Sequence, residues 1–172
     1  MPITPDTKDW TWVLERPCPE CRFDAATFGA GDVARMIREN AHEWPRLLDR
    51  SDVAERPDDA TWSPLEYAAH VRDVYRLFHA RLRLMLDEVD PIFENWDQDA
   101  TALAERYNEQ DPATVAGELV AAGERIADEF ESLAPEQWSR TGRRTDGAVF
   151  TVESFSKYLL HDVVHHVVDV SR

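Results

Sequence analysis

The sequence predicts an all-α protein whose core is a four-helix bundle. Four long segments carry apolar residues at helical spacing, three of them begin with capping residues, and little strand signal lies between them. Residues 91–111 form a connection between the second and third helices that is long enough to run the length of the bundle. We therefore expect these two helices to be parallel, in an up-down-down-up order.

The N-terminal part is predicted to be irregular. Residues 1–31 should form an extension packed on the bundle, and residues 32–172 the bundle itself. The apolar segment 10–14 is expected to lie against the body as a short extended piece. Asp32 is expected to cap a first helix over about 33–49.

The second helix has the clearest start in the chain. Ser63, Pro64 and Glu66 form a capping box with a proline at the first helical position, and Pro91 should end this helix near residue 90. Asp111 and Pro112 begin a third helix, predicted over 112–133.

The fourth helix is predicted over residues 151–172, which contain no glycine or proline. Before it, Asp146 and Gly147 indicate a two-residue hairpin turn. A further short helix is expected near 99–107 in the long connection.

Composition restricts the class of function. The chain has 172 residues, 43% hydrophobic and 31% charged, which is typical of one globular domain. A net charge of −15 argues against nucleic acid and disfavours anionic membranes as partners; with the metal site described below, a small-molecule substrate is the expected partner. No signal peptide and no long apolar run is apparent, so we expect a cytoplasmic protein, and a homodimer is compatible with the sequence.

Three histidines are candidate metal ligands. His161 and His165 stand four residues apart on one helical face, and His70 on the second helix is the expected third ligand. Each alone could be a semi-buried imidazole paired with a carboxylate, but one ion would satisfy all three and keep a coordination position for water or substrate. Asp73 and Asp162 are candidate acceptors for the other ring nitrogens.

His166 is not expected among these ligands. It follows His165 directly and should point about 100° away around the helix. It would then support the site or lie at the surface of the bundle.

The two cysteines, Cys18 and Cys21, form one CxxC motif. It can be half of a zinc site completed by a partner, a redox pair, or two reduced thiols in a structured loop. The sequence leaves these alternatives open.

Two segments together carry a family resemblance. Residues 62–70 (WSPLEYAAH), followed by residues 161–165 (HDVVH), resemble the DinB/YfiT-like superfamily over roughly residues 33–172. The resemblance implies a metal-binding four-helix bundle with His70, His161 and His165 as ligands. It also implies zinc or nickel, and either S-transfer or isomerisation with a thiol such as mycothiol, bacillithiol or glutathione, or metal-dependent hydrolysis as in the YfiT branch.

The expected function is therefore a metal-dependent enzyme, with thiol-dependent S-transfer to small electrophiles preferred over hydrolysis. A metal held by neutral imidazoles lowers the pKa of a bound thiol or water. Trp62, Tyr67 and Trp96 are candidates for the apolar wall of the substrate pocket. The alternative outside enzymology is a metal-stabilised interaction module without catalysis.

Overall fold

The computed structural model describes residue 3 and residues 9–172. Its five α-helices are α1 (Val33–Leu47), α2 (Pro64–Asp87), α3 (Gln98–Ala104), α4 (Pro112–Glu131) and α5 (Val152–Val170). The four predicted long helices are confirmed to within three residues at each end. α2 ends before Pro91 because Glu88 already has extended backbone and Asp90 has a φ of 47°.

A small sheet corrects the all-α prediction. The strands β1 (Ile92–Phe93), β2 (Thr141–Arg144) and β3 (Val149–Thr151) lie in that order, with β1 parallel to β2 and β2 antiparallel to β3. Strands of two to four residues are too short to produce a period-2 signal in the sequence. The sheet joins the end of α2 to the beginning of α5.

The predicted hairpin is present, but its turn is longer than two residues. The Arg144 carbonyl accepts a hydrogen bond from the Gly147 N–H, and the Arg144 backbone N–H donates to the Ala148 carbonyl. Residues 145–147 therefore form a three-residue loop. Gly147 has a φ of 96°, the left-handed conformation that ends such a loop.

Side-chain caps fix the helix starts. The Glu66 N–H donates to Ser63 Oγ, and the Ser63 N–H donates to Glu66 Oε2, as the capping box predicts. Asp111 caps α4 through the Thr114 N–H, also as predicted. The prediction for Asp32 is wrong, because its carboxylate instead accepts the Gly29 N–H of a preceding 3₁₀ turn.

α2 and α4 run in the same direction. Arg72 near the start of α2 pairs with Glu118 near the start of α4, and His79 further along α2 contacts Glu129 further along α4. The second contact lies further toward the C-terminus of both helices than the first, as it does between parallel helices.

α2 and α5 run in opposite directions. His70 lies against Asp162, whereas Phe78 stacks on Phe155 with ring centroids 4.6 Å apart. The beginning of α2 is thereby placed beside the second half of α5. The full up-down-down-up order stays a prediction, which these two pairings support.

Part of the predicted N-terminal extension, residues 1, 2 and 4–8, lies outside the described residues. The expected extended piece is a 3₁₀ helix, Thr11–Leu14, with Val13 buried. The division into an extension and a bundle stays a prediction. Within the described part of the chain, no helix is both long and apolar enough to cross a membrane.

Candidate metal centre

α2 and α5 bring three candidate ligands together. Asp162 Oδ1 lies 3.4 Å from His70 Nε2 and 3.5 Å from His166 Nε2. Ligand atoms of the three residues all lie within 4.8 Å of one another. We call His70, Asp162 and His166 the His70 group. Two imidazoles and a carboxylate are a common ligand set for zinc and for iron.

His70 is the most deeply buried member, with no exposed surface. Burial lowers its pKa, and the nearby Asp162 opposes this only in part, so the ring is neutral at neutral pH. Among the described residues, no hydrogen-bond partner is found for either ring nitrogen of His70 or for Oδ1 of Asp162. Buried polar atoms rarely stay unpaired, so this arrangement fits a bound cation.

Asp162 supplies the negative charge of the group. Burial raises the pKa of this carboxyl, but the His70 contact and the His166 imidazole lower it further, to about 2. His166 in turn places Nδ1 3.1 Å from Asp169 Oδ2, which orients its ring and leaves Nε2 toward Asp162.

The three predicted pocket aromatics surround this group. Trp96 stacks on His70 with a centroid distance of 5.4 Å and an interplanar angle of 4°. Trp62 lies 5.3 Å from His70 and Tyr67 5.0 Å from His166. The rings form an apolar wall beside the ligand atoms.

A cavity of about 900 Å³ is lined by Asp162 and His166 of this group and by its three aromatic neighbours, and also by His161 and His165. Its wall includes both acidic side chains and the guanidinium groups of Arg81 and Arg144. Arg144 pairs with Asp146. Arg81 is buried and, within the described residues, forms no ion pair; it donates to the Glu94 carbonyl, and burial lowers its pKa to about 10.

The other two predicted ligands belong to a second group. His161 and His165 lie with Cys18 and Cys21, and the ligand atoms of these four residues are also within 4.8 Å of one another. We call these four residues the Cys18 group. Burial raises the pKa of Cys21 to about 11 and lowers that of His161 to about 4. Without a cation, the Cys21 thiol and the His161 imidazole are therefore both uncharged at neutral pH.

The structure therefore divides the predicted three-histidine set between two groups. Asp162 and His166, each one residue further along α5, face His70, while His161 and His165 face the N-terminal loop. Successive helical residues differ by about 100° in direction, which produces this division. The spacing of Asp162 and His166 is the same i, i+4 signal that pointed to His161 and His165.

Asp73 and two further histidines, His42 and His79, contact residues outside both groups. Asp73, predicted to support a metal-bound imidazole, accepts hydrogen bonds from Arg72 and Tyr107. His42 and His79 each contact a glutamate of α4.

Comparison with known proteins agrees with the fold. The structure of YfiT from Bacillus subtilis, described as a probable metal-dependent hydrolase with an unusual four-helix bundle topology, has a TM-score of 0.74 and 19% sequence identity. The similarity covers 83% of this chain and 86% of that one. Among curated proteins no sequence match is found. The family model of the DinB superfamily matches residues 14–168, and the chain belongs to that superfamily.

Proposed function

We propose that the chain is a metal-dependent enzyme acting on a small molecule, with the His70 group as ligands of a divalent ion. The observation that carries the proposal is the fully buried His70. Its Nε2 has no hydrogen-bond partner among the described residues and lies 3.4 Å from the ionised Asp162 carboxylate, which lines a large cavity. Zinc and nickel are the metals we favour, because both accept imidazole and carboxylate ligands.

The surrounding residues prepare the group to bind an ion. Asp162 contributes one negative charge, Asp169 orients the His166 ring, and Trp96 and Trp62 keep water from His70. When bound, a divalent ion supplies a positive charge that lowers the pKa of a thiol or water molecule that reaches it.

Most charged residues that line the cavity are acidic, but its Arg81 side favours an anionic group of the substrate, and the aromatic wall favours an apolar body. Arg81 is buried without a carboxylate partner among the described residues, and Arg144 lines the same cavity. A carboxylate or similar anion would compensate the charge of Arg81, and the Trp62 and Trp96 rings would contact the apolar part.

Thiol-dependent S-transfer is the reaction we favour. A cavity of about 900 Å³ is at the upper end of small-molecule sites, so it has room for both a low-molecular-weight thiol such as mycothiol and an electrophile. Hydrolysis is the second candidate, favoured by the structural likeness to YfiT, which is described as a probable hydrolase.

The test combines metal content with turnover. Zinc- or nickel-loaded protein is assayed with anionic and neutral aryl halides, with and without thiol, and with the corresponding esters. Thiol-dependent consumption of the halide supports S-transfer, and turnover that ignores thiol supports hydrolysis. Absence of both reactions in protein whose His70 group is shown to hold metal would favour the interaction module instead.

Two variants locate the activity. Asp162→Asn should remove metal from the His70 group and reduce kcat/KM at least about 100-fold, while the exposed control His42→Ala should change neither. Arg81→Gln should raise KM for the anionic substrate and not for the neutral one. If Asp162→Asn keeps full activity while His70→Ala and His165→Ala lose it and Cys21→Ser keeps it, the predicted three-histidine set is the correct one.

A further inference from the structure

The CxxC motif lies in a tight turn. The Cys18 N–H donates to the Phe23 carbonyl, and the Arg22 N–H donates to the Cys18 carbonyl, both at 2.8 Å. Arg22 has a φ of 64°, a left-handed conformation that costs a non-glycine residue roughly 1–2 kcal/mol. The turn brings both sulfur atoms to one side of the loop, where α5 lies.

The distances suit a tetrahedral ion. Cys18 Sγ lies 3.7 Å from His165 Nδ1, and all four ligand atoms of the Cys18 group are within 4.8 Å of one another. Zinc–sulfur and zinc–nitrogen bonds of about 2.3 and 2.0 Å place sulfur and nitrogen roughly 3.5 Å apart around a tetrahedron. The 3.7 Å between Cys18 Sγ and His165 Nδ1 is close to this value.

The donor set also selects the metal. Two thiolates and two neutral imidazoles compensate the charge of a divalent ion completely, which permits burial. Thiolates favour zinc over magnesium or calcium, and four protein ligands complete a structural zinc site. The Cys18 group thus has four candidate protein ligands, whereas the His70 group has three, which would leave coordination positions open.

The surroundings hold the imidazoles in place. His165 Nε2 lies 3.4 Å from Glu20 Oε2 and 3.7 Å from Asp169 Oδ1, the carboxylate support typical of metal-bound histidines. Trp10 packs against both rings at 5.5 Å. Nε2 of His161 is buried without a hydrogen-bond partner among the described residues.

We propose that Cys18, Cys21, His161 and His165 bind a structural zinc ion that fastens the N-terminal loop to α5. The ion joins residues 147 positions apart in the sequence, so binding stabilises the folded chain. It also fixes Trp10 and Glu20, which line the cavity, without using a ligand of the His70 group.

The test uses full-length reduced protein loaded with cobalt as a spectroscopic substitute for zinc. Wild type and Asp162→Asn should both show thiolate-to-cobalt charge-transfer absorption and strong visible bands of tetrahedral cobalt, and zinc should abolish them. In the Asp162→Asn background, where the His70 group should hold no cobalt, Cys21→Ser should lose at least half of the charge-transfer intensity and His161→Ala should lose the tetrahedral bands. His42→Ala alone should match wild type.

A second measurement needs no variant. In zinc-loaded wild type both thiols should resist a thiol reagent until a chelator is added, and zinc release should accompany their reaction. Immediate reaction of the thiols, or a Cys18–Cys21 disulfide in the zinc-loaded protein, would overturn the proposal. Loss of the cobalt–thiolate absorption in Asp162→Asn would also overturn it, since that variant tests the enzymatic proposal and should leave the Cys18 group intact.

Discussion

At the scale of single residues, Asp169 lies between the two candidate metal groups. Its Oδ2 is 3.1 Å from His166 Nδ1, and its Oδ1 is 3.7 Å from His165 Nε2. Burial raises its pKa, but the His166 and His165 imidazoles lower it more, so the carboxylate is ionised at neutral pH. One side chain therefore orients an imidazole of each group.

We expect Asp169→Asn to weaken metal binding at both groups. At the His70 group the loss should be about 10- to 100-fold in affinity, because the direct His166 contact is removed, and at the Cys18 group it should be smaller. Competition with a chelator, followed by metal analysis and by the cobalt spectrum, measures the two affinities separately.

Glu20→Gln is the matched control for that variant, because Glu20 contacts only the His165 ring among these imidazoles. It should affect the Cys18 group and leave the His70 group at wild-type affinity. Unchanged affinity of both groups in Asp169→Asn would show that this carboxylate does not support bound metal.

The sequence points to His70, His161 and His165 as candidate ligands, but it does not predict how the histidines and carboxylates lie together, and it does not lead us to expect His166 beside His70. His161/His165 and Asp162/His166 have identical spacing, and the rotation of α5 about its axis is set by the burial of Leu159, Leu160 and Val163. Three-dimensional packing alone decides which pair faces His70. The partner of the CxxC motif was equally hidden, because it lies 147 residues away along the chain.

At the scale of elements, a close approach of α1 and α4 depends on Gly123. A Cβ atom placed there would lie 2.6 Å from Ala41 Cβ and 3.4 Å from the Tyr75 ring. The Ala41 side chain has no rotatable bond with which to move away. Any larger residue at 123 must therefore push the two helices apart.

We expect Gly123→Ala to lower the free energy of unfolding by about 1–3 kcal/mol, the usual effect of overpacking. Gly117→Ala in the same helix is the control: a Cβ there meets nothing within 4 Å, so helix propensity should raise stability by about 0.5–1 kcal/mol. Urea denaturation of both variants measures the difference. Equal shifts of the same sign would contradict the close approach of α1 and α4.

The elements themselves were largely predictable because their signals are local. Ser63 and Glu66 fixed the start of α2, and Asp111 that of α4, through hydrogen bonds within four residues. Asp146 and Gly147 indicate the β2–β3 hairpin, whereas β1 pairs with β2 across about fifty residues, which no local pattern reveals.

At the scale of the whole molecule, α5 connects the parts that metal would hold together. Through Asp162 and His166 it meets α2, and through His161 and His165 it meets the N-terminal loop. A ligand that binds only the folded state stabilises it in proportion to the logarithm of its concentration. Two independent groups should therefore contribute two separate increments of stability.

We expect zinc to raise the melting temperature in two steps that variants can separate. At free zinc about 100-fold above the dissociation constant, each group should add about 2.7 kcal/mol, or roughly 5–10 °C for a domain of this size. Calorimetry should show Asp162→Asn losing one increment, Cys21→Ser the other, and the double variant both, while His42→Ala keeps the full shift. If one single variant abolishes the whole shift and the other keeps it, only the first group binds zinc. If each single variant abolishes the whole shift, the two groups bind one shared ion, because two separate ions would each stabilise the chain without the other.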